Sequence, residues 1–536
     1  MPVMHGGMQS FPLTLDRFLD HAAKWHPDSE VVTAAGTGPR QRVSYRDLRQ
    51  RSMRVSHVLH GLGVSAGECV ATLGWNTQAH VEAWYAIMGM GAVCHTLNPR
   101  LTAGQLAGMA VQSEARVLIA AAGLLPLARE LARQAPVIRQ ILVIDPDPGA
   151  AAGAVPDGSA GPRIDTLAPL AASAPDSDIW GGFEETAPCG LCFTSGTTGA
   201  PKGVSYTHRA SFLHTLRQLQ ADAMGISRAD SVLVAVPMFH ANAWGLPFAL
   251  PAAGAKMVLP GRSLEGGCLA ALINGEQVSV AVGIATVWLG LVEHLEATGG
   301  QTPSLKRVVV GGAPLAPALM ARIERVLGAS VQTSWGMTEL SPAGTFARPD
   351  DPQRSAEKSG TPSIGVDLLL TDADGRALPQ QRDAEGHLHV RGAAVVERYF
   401  GQEQTALNAD GWFPTGDLAR IDTAGNLIIT GRAKDLIKSG GEWINPAEIE
   451  AVISRHPGVS LAAVIGRADA RWGERPILLV QTCGTDTVSN EALLEPLRAH
   501  VAPWWIPDAV IRIDHMPLAP TGKIDKQRLR ADYGSK

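Results

Sequence analysis

Between residues 45 and 340, short β-branched apolar runs alternate with longer stretches of helical periodicity, and this alternation constrains the fold more than any other feature. Predicted strands lie at 69–74, 116–121, 141–144, 231–237, 256–259, 278–284, 305–310 and 331–335. The stretches 102–114 and 315–327 are predicted helices, the first with Thr102 as its N-cap. Because strands that alternate with helices pair in parallel, the sequence predicts an α/β fold of parallel sheets flanked by helices.

The pattern changes after residue 360. Short strands at 368–370, 387–390 and 427–430, with turn sequences at 372–375 and 422–425, predict a small antiparallel β subdomain over about 360–433. The residues that follow have their own helix, strand, strand, helix, strand order. A chain of 536 residues also exceeds what one core usually supports. We therefore predict a large N-terminal domain over 1–433 and a small α+β C-terminal domain over 434–536.

Composition excludes several classes of protein. With 45% apolar and 18% charged residues the chain is typical of a globular protein, and residues 146–188, rich in Ala, Gly and Pro, are predicted to form a surface excursion. A net charge of −5 without a block of Lys or Arg argues against nucleic acid as a partner. The longest apolar run, 117–128, is too short to cross a bilayer, so no membrane anchor is expected and the predicted location is cytoplasmic. Six cysteines fit a reducing compartment, and Cys189 and Cys192 are interpreted as buried structural thiols.

The segment 193–204 is rich in groups that bind phosphate. Its glycines let backbone N–H groups approach a ligand, its hydroxyl side chains add donors, and Lys202 adds a positive charge. It is not a Walker A loop, because Pro201 precedes the lysine. It follows an apolar run and precedes a predicted helix at 207–218. Judged by composition alone, a flexible Ser/Thr/Gly surface loop remains an alternative.

The whole string from 193 to 204 resembles the signature loop of the adenylate-forming superfamily, which includes acyl-CoA synthetases, adenylation domains of peptide synthetases and beetle luciferases. Further family motifs follow in order at 311–314, 334–339, 411–417, 431–435 and 520–525, so the resemblance spans about residues 13–530. It implies ATP as a substrate, with its phosphates, adenine and ribose bound by Thr194, Ser195, Gly196, Thr197, Thr198, Gly199, Lys202, Gly312, Ala313, Pro314, Ser334, Trp335, Gly336, Met337, Asp417 and Arg432.

The resemblance also implies individual roles. Thr338 is expected to contact the α-phosphate, Glu339 to hold Mg²⁺ with Thr198, and Lys523 to act as the catalytic lysine. Lys434 is expected to serve as a hinge, which implies that the small C-terminal domain is mobile. The chemistry requires such groups, because ATP and a carboxylate repel each other until metal and cationic side chains screen their charge. Taken singly, Glu339 or Lys523 could be a solvated surface charge and Asp417 a turn cap.

Two further segments concern coenzyme A and the acid. Lys438, Gly440, Gly441 and Trp443 resemble the turn that lines the pantetheine channel, with a simple turn before a helix at Pro446 as the alternative. The segment 236–248 resembles that of bacterial medium-chain fatty acyl-CoA synthetases and methylmercaptopropionate-CoA ligases. The acyl pocket is accordingly predicted to be formed by His240, Trp244, Gly283, Val287 and Gly311. His240 could instead be a buried histidine that is satisfied by a backbone carbonyl.

Together the motifs predict an acid–thiol ligase that uses ATP, Mg²⁺ and coenzyme A. The predicted substrate is a short- to medium-chain fatty acid, which is activated as an acyl-adenylate. Alternatives are a ligase for 3-methylmercaptopropionate or another small carboxylate, an acyl-AMP ligase without coenzyme A, a luciferase-like oxidative enzyme, and a non-enzymatic nucleotide-binding regulator. The oligomeric state is left open, with a homodimer as one alternative.

Overall fold

The computed structural model describes residues 7–34, 39–145, 161–176, 180–194, 201–482, 488–520 and 522–535. The strands are Glu30–Thr33 (β1), Gln41–Ser44 (β2), Cys69–Leu73 (β3), Val93–Thr96 (β4), Val117–Ala121 (β5), Gln140–Ile144 (β6), Arg163–Thr166 (β7), Pro188–Phe193 (β8), Gly203–Thr207 (β9), Ser231–Val234 (β10), Lys256–Leu259 (β11), Val280–Gly283 (β12), Arg307–Val310 (β13), Ser330–Gly336 (β14), Ala343–Phe346 (β15), Thr361–Pro362 (β16), Val366–Thr371 (β17), Ala384–Gly392 (β18), Phe413–Ile421 (β19), Leu427–Arg432 (β20), Ile437–Ser439 (β21), Glu442–Ile444 (β22), Val459–Asp469 (β23), Gly473–Thr482 (β24) and Ala509–Arg512 (β25). The α-helices are Asp16–Trp25 (α1), Tyr45–Gly61 (α2), Gln78–Gly89 (α3), Ala103–Gln112 (α4), Leu125–Gln134 (α5), Leu167–Ser173 (α6), His208–Gln218 (α7), Leu246–Ala253 (α8), Gly266–Gly275 (α9), Ala285–Thr298 (α10), Pro317–Leu327 (α11), Pro446–Ile453 (α12), Asn490–Arg498 (α13) and Lys526–Tyr533 (α14).

Two large sheets form the first part of the chain. One has the order β7-β6-β5-β3-β4-β8-β9 and the other β16-β15-β14-β13-β12-β10-β11-β1-β2. Pairing is parallel through the centre of each sheet and antiparallel only near the edges, at β8/β9, β1/β2 and from β14 to β16. The predicted α/β class with parallel sheets is therefore confirmed.

The main core lies between the two sheets. Helix α3 occupies this layer, and ten of its twelve residues are buried, as expected of a helix that packs against other elements on most of its faces. Its Trp84 ring lies 6.1 Å from the ring of Phe248 on α8, and both side chains are fully enclosed. The layer fixes the two sheets relative to each other, which matters because both contribute to the site described below.

Several predicted features have clear structural counterparts. Thr102 caps α4 with a reciprocal capping box that includes Gln105, and Cys189 and Cys192 are buried on β8. The strand β9, which was not predicted, separates the segment 193–204 from helix α7, so that segment joins an antiparallel hairpin rather than entering the helix directly. The described part of 146–188, predicted to be a surface excursion, contains regular structure. Strand β7 adds an edge strand beside β6, and helix α6 follows it.

The later part of the chain forms two smaller sheets. Strands β17-β18-β19-β20 make an antiparallel sheet, and β22-β21-β24-β23 with β25 beside β24 make another. The residues from Ile437 onward form two apolar clusters of their own, on opposite faces of the last sheet. This independent core supports a separate C-terminal unit, although the boundary at Lys434 stays a prediction. Across the described residues, none of the helices combines the length and apolarity needed to span a bilayer.

Candidate active site

A crevice forms where the carboxyl ends of β13 and β14 meet the small antiparallel sheet and the C-terminal unit. Such ends of parallel strands are the usual ligand-binding edge of an open α/β sheet. The Tyr206 hydroxyl on β9 donates to the backbone oxygen of Thr338 over 2.8 Å, which joins the two large sheets here. From the C-terminal unit, the Lys523 side chain reaches the same place, with Cε 3.9 Å from where a Cβ on Gly312 would lie.

Asp417 is buried and held from two sides. One carboxylate oxygen accepts a 2.9 Å hydrogen bond from Trp335 Nε1 on β14, and the other accepts a 2.9 Å bond from Arg432 Nε. Asp417 and Arg432 stand directly opposite each other on β19 and β20. Two donors orient this carboxylate while each of its oxygens keeps a further lone pair for a ligand hydroxyl.

Thr338 and Glu339 lie on a buried 3₁₀ turn after β14. The Tyr399 hydroxyl donates to one oxygen of the Glu339 carboxylate over 3.0 Å, and burial together with this carboxylate raises the pKa of Tyr399. Lys202 Nζ stands 4.7 Å from the centre of the Tyr399 ring. Tyr399 therefore links the end of the predicted phosphate-binding segment to Glu339, and nothing in the sequence singled it out.

Only the ends of the predicted phosphate loop are described. Thr194 N–H donates to the carbonyl of Lys202 over 2.9 Å, which closes the hairpin between β8 and β9. Ser195, Gly196, Thr197, Thr198 and Gly199 lie outside the described residues. Their predicted contacts with phosphate and metal stay predictions.

A small, mostly apolar cavity lies beside Lys523. It is lined by Val236, Pro237, Phe239, His240, Trp244, Ile284, Gly312, Pro520 and Lys523. The structure thus brings together two of the predicted acyl-pocket residues, His240 and Trp244, with the predicted catalytic lysine. Gly312 adopts φ +79°, which favours glycine, so backbone rather than a side chain faces this space.

The other three predicted acyl-pocket residues lie around this cavity rather than on its wall. A Cβ on Gly311 would fall 2.5 Å from Ser334 Oγ and 3.1 Å from the Trp244 ring, so Gly311 allows those side chains to approach. A Cβ on Gly283 would instead contact Trp288 and Ala235, so this glycine leaves room for those side chains. Val287, on α10, packs against a separate apolar cluster that includes Trp288. Ile284 lies between Gly283 and Val287 in the sequence. It lines the cavity, although the sequence did not assign it to the acyl pocket.

Burial controls the two titratable groups of the cavity. Desolvation lowers the pKa of Lys523 to about 8, with nearby Arg432 adding to the effect and Asp417 and Glu339 opposing it. Desolvation, aided by the charges of Lys523 and Arg100, lowers the pKa of His240 to about 4. At neutral pH the cavity therefore holds a neutral imidazole and a lysine that is mostly cationic.

Trp244 reaches the cavity from an unusual backbone. Ala241, Asn242, Ala243 and Trp244 have φ values of 43°, 53°, 47° and 54°, four consecutive non-glycine residues in the left-handed region. At about 1–2 kcal/mol each, such a turn costs roughly 4–8 kcal/mol. All four residues are buried, so the surrounding structure must hold the turn in place.

Comparison with known proteins identifies the family of this chain. The model of the AMP-binding enzyme family matches residues 19–400, and that of the AMP-binding enzyme C-terminal domain matches residues 448–523. The chain belongs to the AMP-binding enzyme family. It is 37% identical to a 3-methylmercaptopropionyl-CoA ligase of Ruegeria lacuscaerulensis, with 99% of both chains covered. It is 36% identical to a medium-chain-fatty-acid–CoA ligase of Ectopseudomonas oleovorans, with 99% of this chain and 98% of that protein covered.

A solved structure of the same family agrees in fold. ATP-bound MatB from Rhodopseudomonas palustris superposes with a TM-score of 0.84 at 26% identity, covering 98% of this chain and 99% of the other. The family membership predicted from the motifs is confirmed.

The hairpin predicted to line the coenzyme A channel lies apart from the cavity of this AMP-binding enzyme. Lys438 and Trp443 pair across β21 and β22, with Lys438 Nζ 5.4 Å from the Trp443 ring, and the Trp443 side chain is exposed. Gly440 packs beneath Trp472. In this arrangement Lys523 is at the cavity and the hairpin is not, so the channel role remains a prediction.

Lys434 lies between the two units. It sits in a 3₁₀ turn over Ala433–Asp435, and the Asp435 carboxylate that follows it accepts a 2.8 Å hydrogen bond from Arg530 on α14. Burial lowers the pKa of Lys434. The turn is the covalent link between the antiparallel sheet and the C-terminal unit, which is where a hinge is predicted.

Proposed function

We propose that this AMP-binding enzyme is an ATP-dependent acyl-CoA synthetase that activates a short- to medium-chain fatty acid as an acyl-adenylate and transfers it to coenzyme A. The observation that carries the proposal is the entry of Lys523 into an apolar cavity beside Gly312, His240 and Trp244. One end of the crevice offers buried polar groups for a nucleotide, and the other offers apolar surface for an acid.

The cavity favours an unbranched apolar acid. Its wall consists of Val236, Phe239, Trp244 and Ile284 with neutral His240, and Lys523 is its only charged lining residue within the described part of the chain. A second carboxylate or an ammonium group on the substrate would be buried here without a partner, which is unfavourable. A linear aliphatic acid leaves no polar group unsatisfied except the carboxylate that reacts.

The residues present fit a bound Mg²⁺. Glu339 uses only one of its carboxylate oxygens for Tyr399, and the described residues contain no cluster of three or more side chains that could hold a metal. An ion at Glu339 would take its remaining ligands from phosphate oxygens and water, the coordination that Mg²⁺ prefers. When bound, it would screen the charge of the phosphates.

The proposed reaction has two steps. An oxygen of the acid attacks the α-phosphorus, the bond to the bridging oxygen breaks, and pyrophosphate leaves. The thiol of coenzyme A then loses its proton to water and attacks the acyl carbonyl, and AMP leaves with the electron pair of the acyl–oxygen bond. In the first step Lys523 and Thr338 would stabilise charge on the α-phosphate, while Asp417 would fix the ribose.

A close alternative is a ligase for 3-methylmercaptopropionate or another small carboxylate. The relative at 37% identity carries that name, and a thioether is as apolar as the wall of the cavity. An acyl-AMP ligase that does not use coenzyme A is a further alternative. It is favoured only if the hairpin at Lys438–Trp443 never reaches the cavity.

The test is an assay of pyrophosphate and AMP with acids from butyrate to dodecanoate, 3-methylmercaptopropionate, and branched and aromatic acids, each with and without coenzyme A. We expect continuous AMP release with coenzyme A and a single burst of pyrophosphate without it. The Lys523→Ala variant, which should be slower by about a hundredfold, controls for contaminating synthetases. Turnover that is independent of coenzyme A, or absent with every acid, contradicts the proposal.

A further inference from the structure

One buried polar side chain near the cavity has no role in the reaction proposed above. Gln218, the last residue of α7, is fully buried, and its amide Nε2 donates to the backbone carbonyl of Trp244. Its Oε1 has no hydrogen-bond partner among the described residues. A buried amide oxygen without a hydrogen bond lowers folding stability. The hydrogen bond made by Nε2 therefore has a role that offsets this loss.

The Nε2 group of Gln218 holds one end of the left-handed turn at residues 241–244. Gln218 holds the carbonyl at its last residue, and at its first residue Ala241 N–H donates to Cys192 Sγ over 3.3 Å. Between these two ends, Ala243 N–H bonds back to the carbonyl of His240 over 3.1 Å. Because sulfur is a weak acceptor, the amide of Gln218 is the stronger of the two tethers.

The last turn of α7 also holds the other half of the crevice. The side chain of Arg217 donates to the backbone carbonyls of Leu340 and Ala343, and His214 Nε2 accepts a 3.1 Å hydrogen bond from Ala343 N–H. The His214 ring also occupies the space that a side chain on Gly245 would need. One helix end thus fixes both the segment after Glu339 and the turn that carries Trp244.

We propose that Gln218 is a positioning residue that determines acid specificity by holding the strained turn and, through it, the Trp244 ring at the wall of the acyl cavity. The ring lies 3.1 Å and 3.6 Å from where Cβ atoms on Gly311 and Gly312 would be, so a small movement of the turn changes the space beside the reacting carbonyl. Without the amide, the turn relaxes toward right-handed or extended backbone, which L-residues prefer. The inference rests on the proposed function, because it concerns which acid that function accepts.

The test is Gln218→Met, which keeps the volume and removes the donor. The matched control is Gln332→Met on β14, where a fully buried glutamine also donates to a backbone carbonyl, that of Ala223, and likewise leaves Oε1 without a partner among the described residues. For each variant we would measure kcat/KM across linear acids, the KM for ATP, and hydrogen exchange of the backbone amides at 241–244.

With Gln218→Met, the ratio of kcat/KM between the preferred acid and one two methylenes longer should change by about tenfold. The KM for ATP should stay within about twofold, because Asp417 and Glu339 are untouched. Exchange at Ala241 and Ala243 should accelerate by about tenfold. Gln332→Met should alter none of the three.

An unchanged acid preference in a folded Gln218→Met protein overturns the proposal, and so does an equal change in both variants. If Gln218→Met does not fold, Cys192→Ala releases the other end of the turn. A smaller change in acid preference with Cys192→Ala supports the proposal that the turn is held at both ends. An unchanged acid preference rejects it. If no acid supports pyrophosphate release by the wild-type enzyme, the proposed function has failed, and the exchange rates of Gln218→Met and Gln332→Met alone decide whether Gln218 holds the turn.

Discussion

Lys523 is the residue on which the proposed reaction depends most, and its protonation state can be followed through the pH dependence of that reaction. Its depressed pKa means that burial disfavours the ammonium form, which the proposed first step requires. The lowered pKa of Lys523 has opposite effects on activity and on folding stability as the pH rises. Between about pH 8 and the usual lysine pKa of 10.5, the unfolded chain binds more protons than the folded one, so folding stability rises with pH while activity falls.

We expect kcat/KM for acid-dependent pyrophosphate release to decline as the pH rises through about 8, because a neutral lysine cannot stabilise charge on the α-phosphate. Lys523→Arg should be slower, but its guanidinium stays charged, so the decline should move upward by at least one pH unit. Pyrophosphate release at varied pH under subsaturating ATP measures this. A decline that stays near pH 8 in the arginine variant would assign it to another group.

At this scale the sequence predicted the chemistry but not its supports. Lys523, Asp417 and Glu339 belong to recognisable motifs, and the structure places all three at one crevice. Tyr399 and Gln218 belong to no such motif, since an isolated tyrosine or glutamine has the same appearance in the sequence wherever it lies. Their contacts depend on segments that are distant along the chain, and only the folded molecule reveals them.

At the scale of secondary-structure elements, a buried carboxylate joins the edge of the larger sheet to a helix end. The carboxylate of Glu276, just after α9, pairs with Arg40 at 2.5 Å, Arg42 at 2.6 Å and Lys256 at 2.6 Å, which lie just before β2, on β2 and on β11. Burial raises its pKa, but the hydrogen bonds from these cations outweigh that effect and hold the pKa below its ordinary value. Its stabilising contribution is thus present at neutral pH and is lost as the pH falls below about 4.5.

Glu276→Gln should destabilise the N-terminal part by about 2–3 kcal/mol, less than a fully enclosed ion pair because the three cations are partly exposed. The midpoint of thermal unfolding at pH 7 measures the loss, and the difference from wild type should shrink below pH 4. Glu265→Gln, at the exposed other end of α9, is the matched control and should be neutral. Equal midpoints for the two variants would contradict a structural role for the cluster.

Gly522, next to Lys523, lies where the C-terminal unit meets the first part of the chain. Gly522 has φ +82°, and a Cβ there would lie 2.3 Å from Ile284 Cδ1. Gly522→Ala should therefore slow adenylate formation by about tenfold, because the added methyl group must displace the Ile284 side chain or shift Lys523 away from the cavity. Transfer from preformed acyl-adenylate to coenzyme A should continue.

A matched control exists for Gly522→Ala. Gly375 shares φ +82°, but no atom lies within 4 Å of the position that a Cβ would take there, so Gly375→Ala carries the backbone strain without the steric clash. Single-turnover rates of the two half-reactions separate the effects. If both variants slow adenylation equally, contact between Gly522 and Ile284 is not what matters.

Elements of strong periodicity were predictable, and those with mixed signals were not. The central parallel strands occur where the β-branched runs predicted them, since a strand buried on both faces must be apolar throughout. Strand β19 was missed because Pro414, Gly416 and Asp417 suggest a turn, although its residues alternate between buried and exposed. The left-handed turn was unpredictable because Ala241–Trp244 contains no glycine, and its conformation is imposed by tertiary contacts.

At the scale of the whole molecule, the contacts between the two units outside the cavity include several polar pairs. Arg100 donates to the carbonyl of Pro520 over 3.0 Å, Arg455 pairs with Glu357 at 2.9 Å, and Asn445 donates to the carbonyl of Thr430 over 2.7 Å. The first two are exposed polar contacts of the kind that contribute little to stability. An interface of this type is compatible with a C-terminal unit that changes its orientation between the two steps.

Lys434→Pro tests that change of orientation. Proline fixes φ near −65° and removes the N–H, so a residue that must rotate is locked in one state. If the locked state is the one seen here, pyrophosphate release should proceed at a normal rate while transfer to coenzyme A slows by at least tenfold. Single-turnover measurements of both steps decide this, with Lys434→Ala as the control. Wild-type rates for both steps in a folded proline variant would contradict a hinge at this residue.

The segment that carries Lys523 also acts as a lid on the cavity, because Pro520 and Lys523 form part of the cavity wall. A mixed anhydride made beneath it is a high-energy compound that bulk water would hydrolyse, returning only AMP and the free acid. If this segment leaves the cavity before coenzyme A reaches the anhydride, the ATP that was spent is lost without product. An enzyme whose lid opens early would still consume ATP at full speed, and the defect would be visible only in the ratio of thioester formed to ATP consumed.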